Sequence, residues 1–224
     1  MRIVILNGSP RKNGATASLL REFEKKLSSY NDVEVKYVDI SELKIDSCKG
    51  CCVCYKRGQC YINDDAENLS KQIGCADGVI IGSPTYASNI SGVLKNFVDR
   101  GHFVIEQLLH NKYAVSVATG ENYGSKDTRK ILNKLLKYSG ARLSGSIVWN
   151  VPFNGRPLDN KGVVRKIERI SAKMYADIQS NKIYVWQDIF RKLIFNIGIK
   201  PFVLKKDSEY EGVMNRWKQQ GLIS

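Results

Sequence analysis

Arg2-Ile3-Val4-Ile5-Leu6-Asn7-Gly8-Ser9-Pro10-Arg11-Lys12-Asn13-Gly14-Ala15-Thr16 opens the chain, and its reading decides the fold. Residues 2–6 are an apolar run rich in β-branched side chains, the mark of a short buried strand, and Asn7-Gly8-Ser9-Pro10 ends it. Across Ala15–Leu27, the apolar positions Ala17, Leu19, Leu20, Phe23 and Leu27 recur at helical spacing. A buried strand therefore runs through a polar, glycine-bearing turn straight into an amphipathic helix.

The same alternation continues outward. Residues 33–38 alternate valine with polar residues, as a strand near a sheet edge would. Asp64-Asp65 opens a helix that reaches about residue 74, its acidic residues suiting the positive end of the helix dipole. Residues 78–82 form a glycine-bounded apolar strand, 92–109 a helix, 113–118 a strand, 126–138 a helix and 142–149 a last strand. Central strands that read as continuous apolar runs belong to parallel sheets covered on both faces. The expected fold is α/β: a flavodoxin-like, doubly wound, five-stranded parallel sheet in the order 2-1-3-4-5 over residues 1–150. Residues 151–224 form a basic helical C-terminal extension. In it, 160–178 reads as one amphipathic helix and about 184–197 as a second, with Trp186, Ile189, Phe190, Leu193, Ile194 and Ile197 on one face. Such a stripe is expected to pack against the sheet or a second subunit.

Composition bounds the function. At 224 residues and 25.3 kDa, with 43% hydrophobic and 25% charged residues, the chain is an ordinary globular one. No apolar run approaches the ~20 residues of a membrane span, and the first apolar run is too short for a signal-peptide core. A cytoplasmic protein without membrane contact is expected. Lys plus Arg number 35 against 22 Asp plus Glu, a net charge of +13, so the molecule is built to meet anions. Five of the six cysteines fall in the segment 48–60, a bunching that points to metal or redox chemistry rather than core filling.

Ligands of open α/β sheets bind beyond the carboxyl ends of the strands, and three loops leave such ends here. The first, residues 7–16, leads into a helix N-terminus whose free N–H groups suit a phosphate. Ser9, Thr16, Asn13 and Arg11 add hydroxyls, an amide and a charge. It has neither the Gly-Lys-Ser/Thr of a P-loop nor a G-x-G-x-x-G, so neither ATP nor a Rossmann-bound dinucleotide is favoured. The second, Gly82-Ser83-Pro84-Thr85-Tyr86-Ala87-Ser88-Asn89, places an aromatic beside small polar groups and suits a flat heterocycle. The third, Ala118-Thr119-Gly120-Glu121-Asn122-Tyr123-Gly124-Ser125, lets backbone N–H groups approach a ligand closely.

Gly8-Ser9-Pro10-Arg11-x-Asn13-Gly14-x-Thr16, Gly82-Ser83-Pro84-x-Tyr86 and Leu94-Lys95-x-Phe97-x-Asp99-Arg100 together resemble the NADPH-dependent FMN reductase family over about the first 150 residues. The resemblance implies that the first loop holds the FMN phosphate through Ser9, Arg11, Asn13 and Thr16, with Gly14 and Ala15 at the helix start. It implies ring contacts from Pro84, Thr85, Tyr86, Asn89, Thr119 and Gly120. Cys48-x-x-Cys51-x-x-Cys54-x5-Cys60 resembles the cluster motif of iron–sulfur flavoproteins, a branch of the same flavodoxin-like group. That implies a [4Fe–4S] cluster on Cys48, Cys51, Cys54 and Cys60, one thiolate per iron. Zinc competes for four thiolates, Cys52 offers another ligand register, and relatives keep a similar Gly-x-Cys…Asp-Asp loop without an established cluster. Cys75 reads as a buried helix-end residue, and His102 and His110 as surface or capping residues.

The function expected is an FMN-dependent oxidoreductase that passes electrons between a reduced donor, ferredoxin-like and acidic or NAD(P)H, and an acceptor. The chemistry lies on flavin N5, so no catalytic side chain is required. The alternatives are an NAD(P)H-dependent FMN or quinone reductase without a cluster, and a non-enzymatic flavin-binding sensor. Hydrolase motifs and zinc-finger or RNP patterns are absent, so nucleic acid is not an expected partner. A homodimer or homotetramer is expected.

Overall fold

The computed structural model describes residues 1–224. β1 (Arg2–Asn7), β2 (Glu34–Asp39), β3 (Gly78–Pro84), β4 (Tyr113–Gly120) and β5 (Arg142–Asn150) form one sheet in the order β2-β1-β3-β4-β5. All four pairings are parallel, with Ile5 facing Tyr37 on one side and Ile80 on the other. This is the expected flavodoxin-like order, with β2 at an edge.

Period-two alternation along β1 distributes its side chains between two cores. Val4 and Leu6 enter a cluster completed by α3 (Asp65–Gly74), α4 (Gly92–Arg100) and α5 (Ser125–Tyr138). Ile3 and Ile5 enter another, completed by α1 (Ala15–Leu27) and α6 (Lys161–Gln179). Leu19, Leu20, Phe23 and Leu27 of α1 are fully buried, each worth about 1.5–3 kcal/mol relative to exposure. The helices start where side chains cap them: Asp64 Oδ1 accepts from Ala66 N at 3.1 Å, Ser91 Oγ from Leu94 N at 3.1 Å, and Asn160 Oδ1 from Gly162 N at 2.8 Å.

Three expectations need correction. The helix expected over 92–109 stops at Arg100. Residues 101–112 are turns, with His102, Gln107 and Asn111 at positive φ. Phe103, Leu108 and Leu109 are buried in the core, which gives a nearly helical apolar pattern to a segment with no helix in it. Buried polar contacts hold it instead, among them Gln107 Nε2 donating to Val104 O at 2.6 Å and Tyr138 O at 2.7 Å. Cys75 is exposed rather than buried, and His102 is buried rather than on the surface.

The extension folds differently from its apolar stripe. α7 (Val185–Leu193) runs through a π turn (Ile194–Ile199) into α8 (Lys200–Leu204), and a 3-10 turn (Asp207–Tyr210) leads to α9 (Glu211–Gln219). Phe195, Ile199, Val203, Tyr210, Val213 and Trp217 pack together as a third core. Trp186, Ile189, Phe190, Leu193 and Ile197 stay exposed, Trp186 at 83%. No helix is long and apolar enough to cross a membrane.

Candidate functional site

The strand order reverses between β1 and β3, and the loops leaving their carboxyl ends frame a cleft of about 580 Å³. Ser9, Arg11, Asn13, Gly14, Ala15 and Thr16 line it from the first loop, Pro84, Thr85 and Tyr86 from the second, and Thr119 and Gly120 from the third. Asn89 lies outside the lining. Its Oδ1 accepts from Ile90 N at 2.8 Å, and its backbone closes a two-residue turn with Tyr86. Ala87 and Ser88 of that turn both have positive φ, which leaves Tyr86 47% exposed at the cleft wall.

Local hydrogen bonds shape the first loop. Asn7 Nδ2 donates to Asp39 Oδ1 at 2.6 Å, and Asn7 Oδ1 accepts from Ser9 N at 3.1 Å, turning the chain toward α1. Ser9 Oγ accepts from Arg11 N at 3.1 Å, and Gly14 N donates to Arg11 O at 3.1 Å. Beyond them the first N–H groups of α1 have no partner within the helix and face an anion-ready end. The hydroxyls of Thr16 and Thr119 meet at 2.7 Å, tying the first loop to the third beneath the cleft.

Sequence reasoning missed a fourth wall. Residues 151–159, just beyond β5, line the cleft throughout. Arg11 Nη2 donates to Asn154 Oδ1 at 2.6 Å, and its guanidinium lies 4.6 Å from the centre of the Phe153 ring. The available signal was positional: this segment also leaves a strand's carboxyl end, and Pro152, Gly155 and Pro157 punctuate it. Two features suit a polar, flat ligand with a phosphate. Thr85 Oγ1 is buried without a partner although Thr85 lines the cleft, and the third loop is closed to side chains at Gly120, where a Cβ would lie 2.2 Å from Ser125 Oγ.

The cysteine loop forms a separate pocket of about 300 Å³, lined by Cys48, Cys51, Cys52, Cys54 and Cys60. Its base is fixed by Arg100, whose Nη1 donates to Asp46 O at 2.7 Å and Asp64 Oδ2 at 2.8 Å, while Nη2 donates to Asp64 Oδ1 at 2.9 Å. Both side chains of this pair are all but fully buried. Burial works against the Asp64 carboxylate, but Arg100 and two backbone N–H groups prevail and hold its pKa below the ordinary value. Asp65 Oδ2 accepts from Lys44 N at 2.7 Å, a second tie between the loop's ends. The Asp64-Asp65 and Asp99-Arg100 motifs thus serve the cysteine loop. Short α2 (Val53–Arg57) carries Cys54. Burial, followed by the nearby Glu106 and Cys60, pushes the Cys54 thiol up to about 12.

Cys48, Cys51 and Cys52 are exposed, and Cys54 and Cys60 are half-buried. No three His, Cys, Asp or Glu side chains converge on a point where one metal ion would sit. A single tetrahedral ion needs such convergence. A cubic cluster takes one thiolate at each of four separate corners, and the five cysteines lining this pocket supply enough thiols for that donor set.

Against this geometry, comparison with known proteins is specific. The family model for NADPH-dependent FMN reductases matches residues 1–155. An iron–sulfur flavoprotein of Clostridioides difficile (strain 630) is 37% identical over 226 aligned residues, covering all of both chains. One from Archaeoglobus fulgidus is 29% identical, again covering both chains completely. Among solved structures, an NADH:FMN oxidoreductase in its apo form superposes with a TM-score of 0.60 at 20% identity, over 84% of this chain and 93% of that one. With the flavodoxin-like sheet and the convergence of its loops on one cleft, these matches establish that the chain belongs to the NADPH-dependent FMN reductase family and is an FMN-dependent oxidoreductase.

Proposed function

We propose that the cleft at the β1/β3 reversal holds FMN, that the cysteine pocket carries a [4Fe–4S] cluster on Cys48, Cys51, Cys54 and Cys60, and that electrons pass through both. The observation that supports it most is the gathering of eleven expected contact residues, from three separated loops, around one cleft. In this reading Ser9, Asn13, Thr16 and the N–H groups of Gly14 and Ala15 bind the phosphate, and Arg11 closes over it from its perch on Phe153. Pro84, Thr85, Tyr86, Thr119 and Gly120 hold the ring's edge and face. Asn89 acts through the Tyr86 turn rather than by contact. When bound, FMN accepts and returns hydride at its own ring, so these residues bind, orient and exclude water.

The donor is NAD(P)H or an acidic, ferredoxin-like carrier. The net charge of +13 favours the approach of either. The cleft and the cysteine pocket share no lining residue, and the α7 face is bare. A homodimer or homotetramer that brings one chain's cysteine loop to another's cleft accounts for both. Exposed free thiols support a reducing, cytoplasmic setting.

A second reading, a reductase without a cluster, draws on the same exposed thiols. Anaerobic purification followed by a visible spectrum and iron, sulfide and flavin analysis separates the two. The expected result is roughly one FMN with about four iron and four sulfide per chain. Flavin without iron selects the second reading. Colourless protein that refuses added FMN overturns both.

A further inference from the structure

Arg100 fastens the two ends of the cysteine loop, but its middle is held by α9, which lies beyond the residues the family model matches. Gly212 rests on Gly58 so closely that a Cβ at 212 would come within 2.0 Å of Gly58 N and 2.7 Å of the Arg57 carbonyl carbon. Tyr210, at the entrance to α9, stacks on Tyr55 with ring centres 4.8 Å apart. Arg216 Nη2 donates to Gly58 O at 2.9 Å across 158 residues of sequence. Gly58 N in turn donates to Cys54 O at 2.8 Å.

Arg216, itself half-buried, also begins a row of alternating charge that runs into the interior. Its Nη1 stands 2.8 Å from Glu106 Oε2, an ion pair outside hydrogen-bonding angles. Glu106 Oε1 lies 2.5 Å from His102 Nδ1, and His102 Nε2 lies 2.9 Å from Glu67 Oε2. Glu67 Oε2 then accepts from Cys60 N at 3.4 Å. The row leaves the loop at the Gly58 carbonyl and returns to it at the Cys60 amide, so the segment bearing Cys54 and Cys60 is gripped at both points. Nothing within the segment would hold it alone. α2 has five residues, well short of the ~12–15 at which an isolated helix becomes even marginal. α9 is anchored independently: Val213 and Trp217 are fully buried, and Trp217 Nε1 donates to Ile105 O at 3.1 Å.

We infer that Arg216 is a positioning residue of the cysteine pocket, through which the C-terminal helix sets the backbone of Cys54 and Cys60 for metal binding. This rests on the cluster reading above for its purpose, though not for its mechanics. The partners that orient metal ligands commonly matter about 10–100-fold in affinity, and here the partner is carried by a separate part of the chain.

The test compares the parent with Arg216→Ala and Arg216→Lys, each reconstituted anaerobically with iron and sulfide. Arg216→Ala is expected to release iron to a chelator about ten-fold faster or more, with FMN content unchanged. Arg216→Lys keeps a charge for Glu106 but loses the fork that also reaches Gly58, and should fall between. Metal-free protein supplies a second readout: the labelling rates of Cys54 and Cys60 by a thiol reagent should rise in Arg216→Ala while that of exposed Cys75 stays constant. Parental iron release and labelling in a folded Arg216→Ala would overturn the inference, and if that variant does not fold, parental values in Arg216→Lys would do so. If the parent itself takes up no iron, the cluster reading fails, and the labelling rates still decide whether Arg216 positions the loop.

Discussion

At Gly120 a single hydrogen determines how closely the third loop can pack beside the cleft. A methyl group there would meet Ser125 Oγ at 2.2 Å, so Gly120 and Ser125 would have to move apart, while Thr85 Cβ at 3.4 Å would be an ordinary contact. Overpacking of this kind costs about 1–3 kcal/mol. If the displaced loop is one that holds the flavin, Gly120→Ala should weaken FMN binding by about ten-fold, some 1.4 kcal/mol, in a fluorescence titration of the apoprotein. An unchanged Kd would remove the third loop from the flavin site. His102 offers a test by pH. Burial opposes its protonation, but Glu106 and Glu67 on either side of the ring outweigh it and raise its pKa from 6.5 to about 9. The folded protein thus holds this proton more tightly than the unfolded chain does. The stabilisation is complete below about pH 6.5 and is lost as pH rises through about 9. Across that window the Tm of the parent should fall more steeply than that of His102→Gln; parallel curves would show that the histidine is not protonated between its two carboxylates.

At the scale of elements, the Arg100–Asp64 pair joins the end of α4 to the start of α3, and with the Arg100 bond to Asp46 O it closes the cysteine loop that precedes α3. Removing one member of such a buried pair typically costs about 3–5 kcal/mol, because the other charge is stranded. Arg100→Met should therefore lower the unfolding free energy read from urea denaturation by that measure and speed hydrogen exchange across residues 47–63. A surface-like loss below about 1 kcal/mol would show that water reaches the pair. The same elements show what could be read from sequence. β1, β3 and β4 were legible because continuous apolar runs coincide with burial on both faces, and α1 because its 3.6-residue pattern coincides with its buried side. The segment 101–112 was not: Phe103, Leu108 and Leu109 mimic a helix while positive φ at His102, Gln107 and Asn111 breaks it, and no local pattern announces that a histidine will find two carboxylates. α9 was invisible for a related reason. Its partners, Tyr55 and Gly58 on the loop and Phe195 in the π turn, are remote in sequence. Eleven of the twelve residues that the family resemblance implied line one cleft, as loops at the carboxyl ends of the strands gather at one rim. The wall at 151–159 escaped because its composition carries no phosphate or ring signal.

At the scale of the whole molecule, α7 carries an uncovered apolar face. Trp186, Ile197, Ile183, Leu193 and Ile189 are each more than half exposed on one stretch of surface. The helix is nevertheless firmly seated: Arg142 and Arg191 both bond Asp188, and Gln187 bonds the backbone of Leu143 in both directions. A rigid helix with its polar side turned inward and its apolar side outward is arranged for a protein surface, since exposed apolar patches of this kind mark interaction sites. Self-association through it would bury the tryptophan, the residue type most often found at the energetic centre of interfaces. Multi-angle light scattering of the flavin-loaded parent should give a dimer or tetramer whose mass persists at high salt, because apolar burial is not screened as surface ion pairs are. The pair Trp186→Glu and Leu193→Asp should bring the mass down toward 25.3 kDa while FMN stays bound, the cleft being built from other elements. A monomeric parent would show that the α7 face is not a self-interface, and the separation of cleft and cysteine pocket within one chain would then have to be crossed by an external carrier.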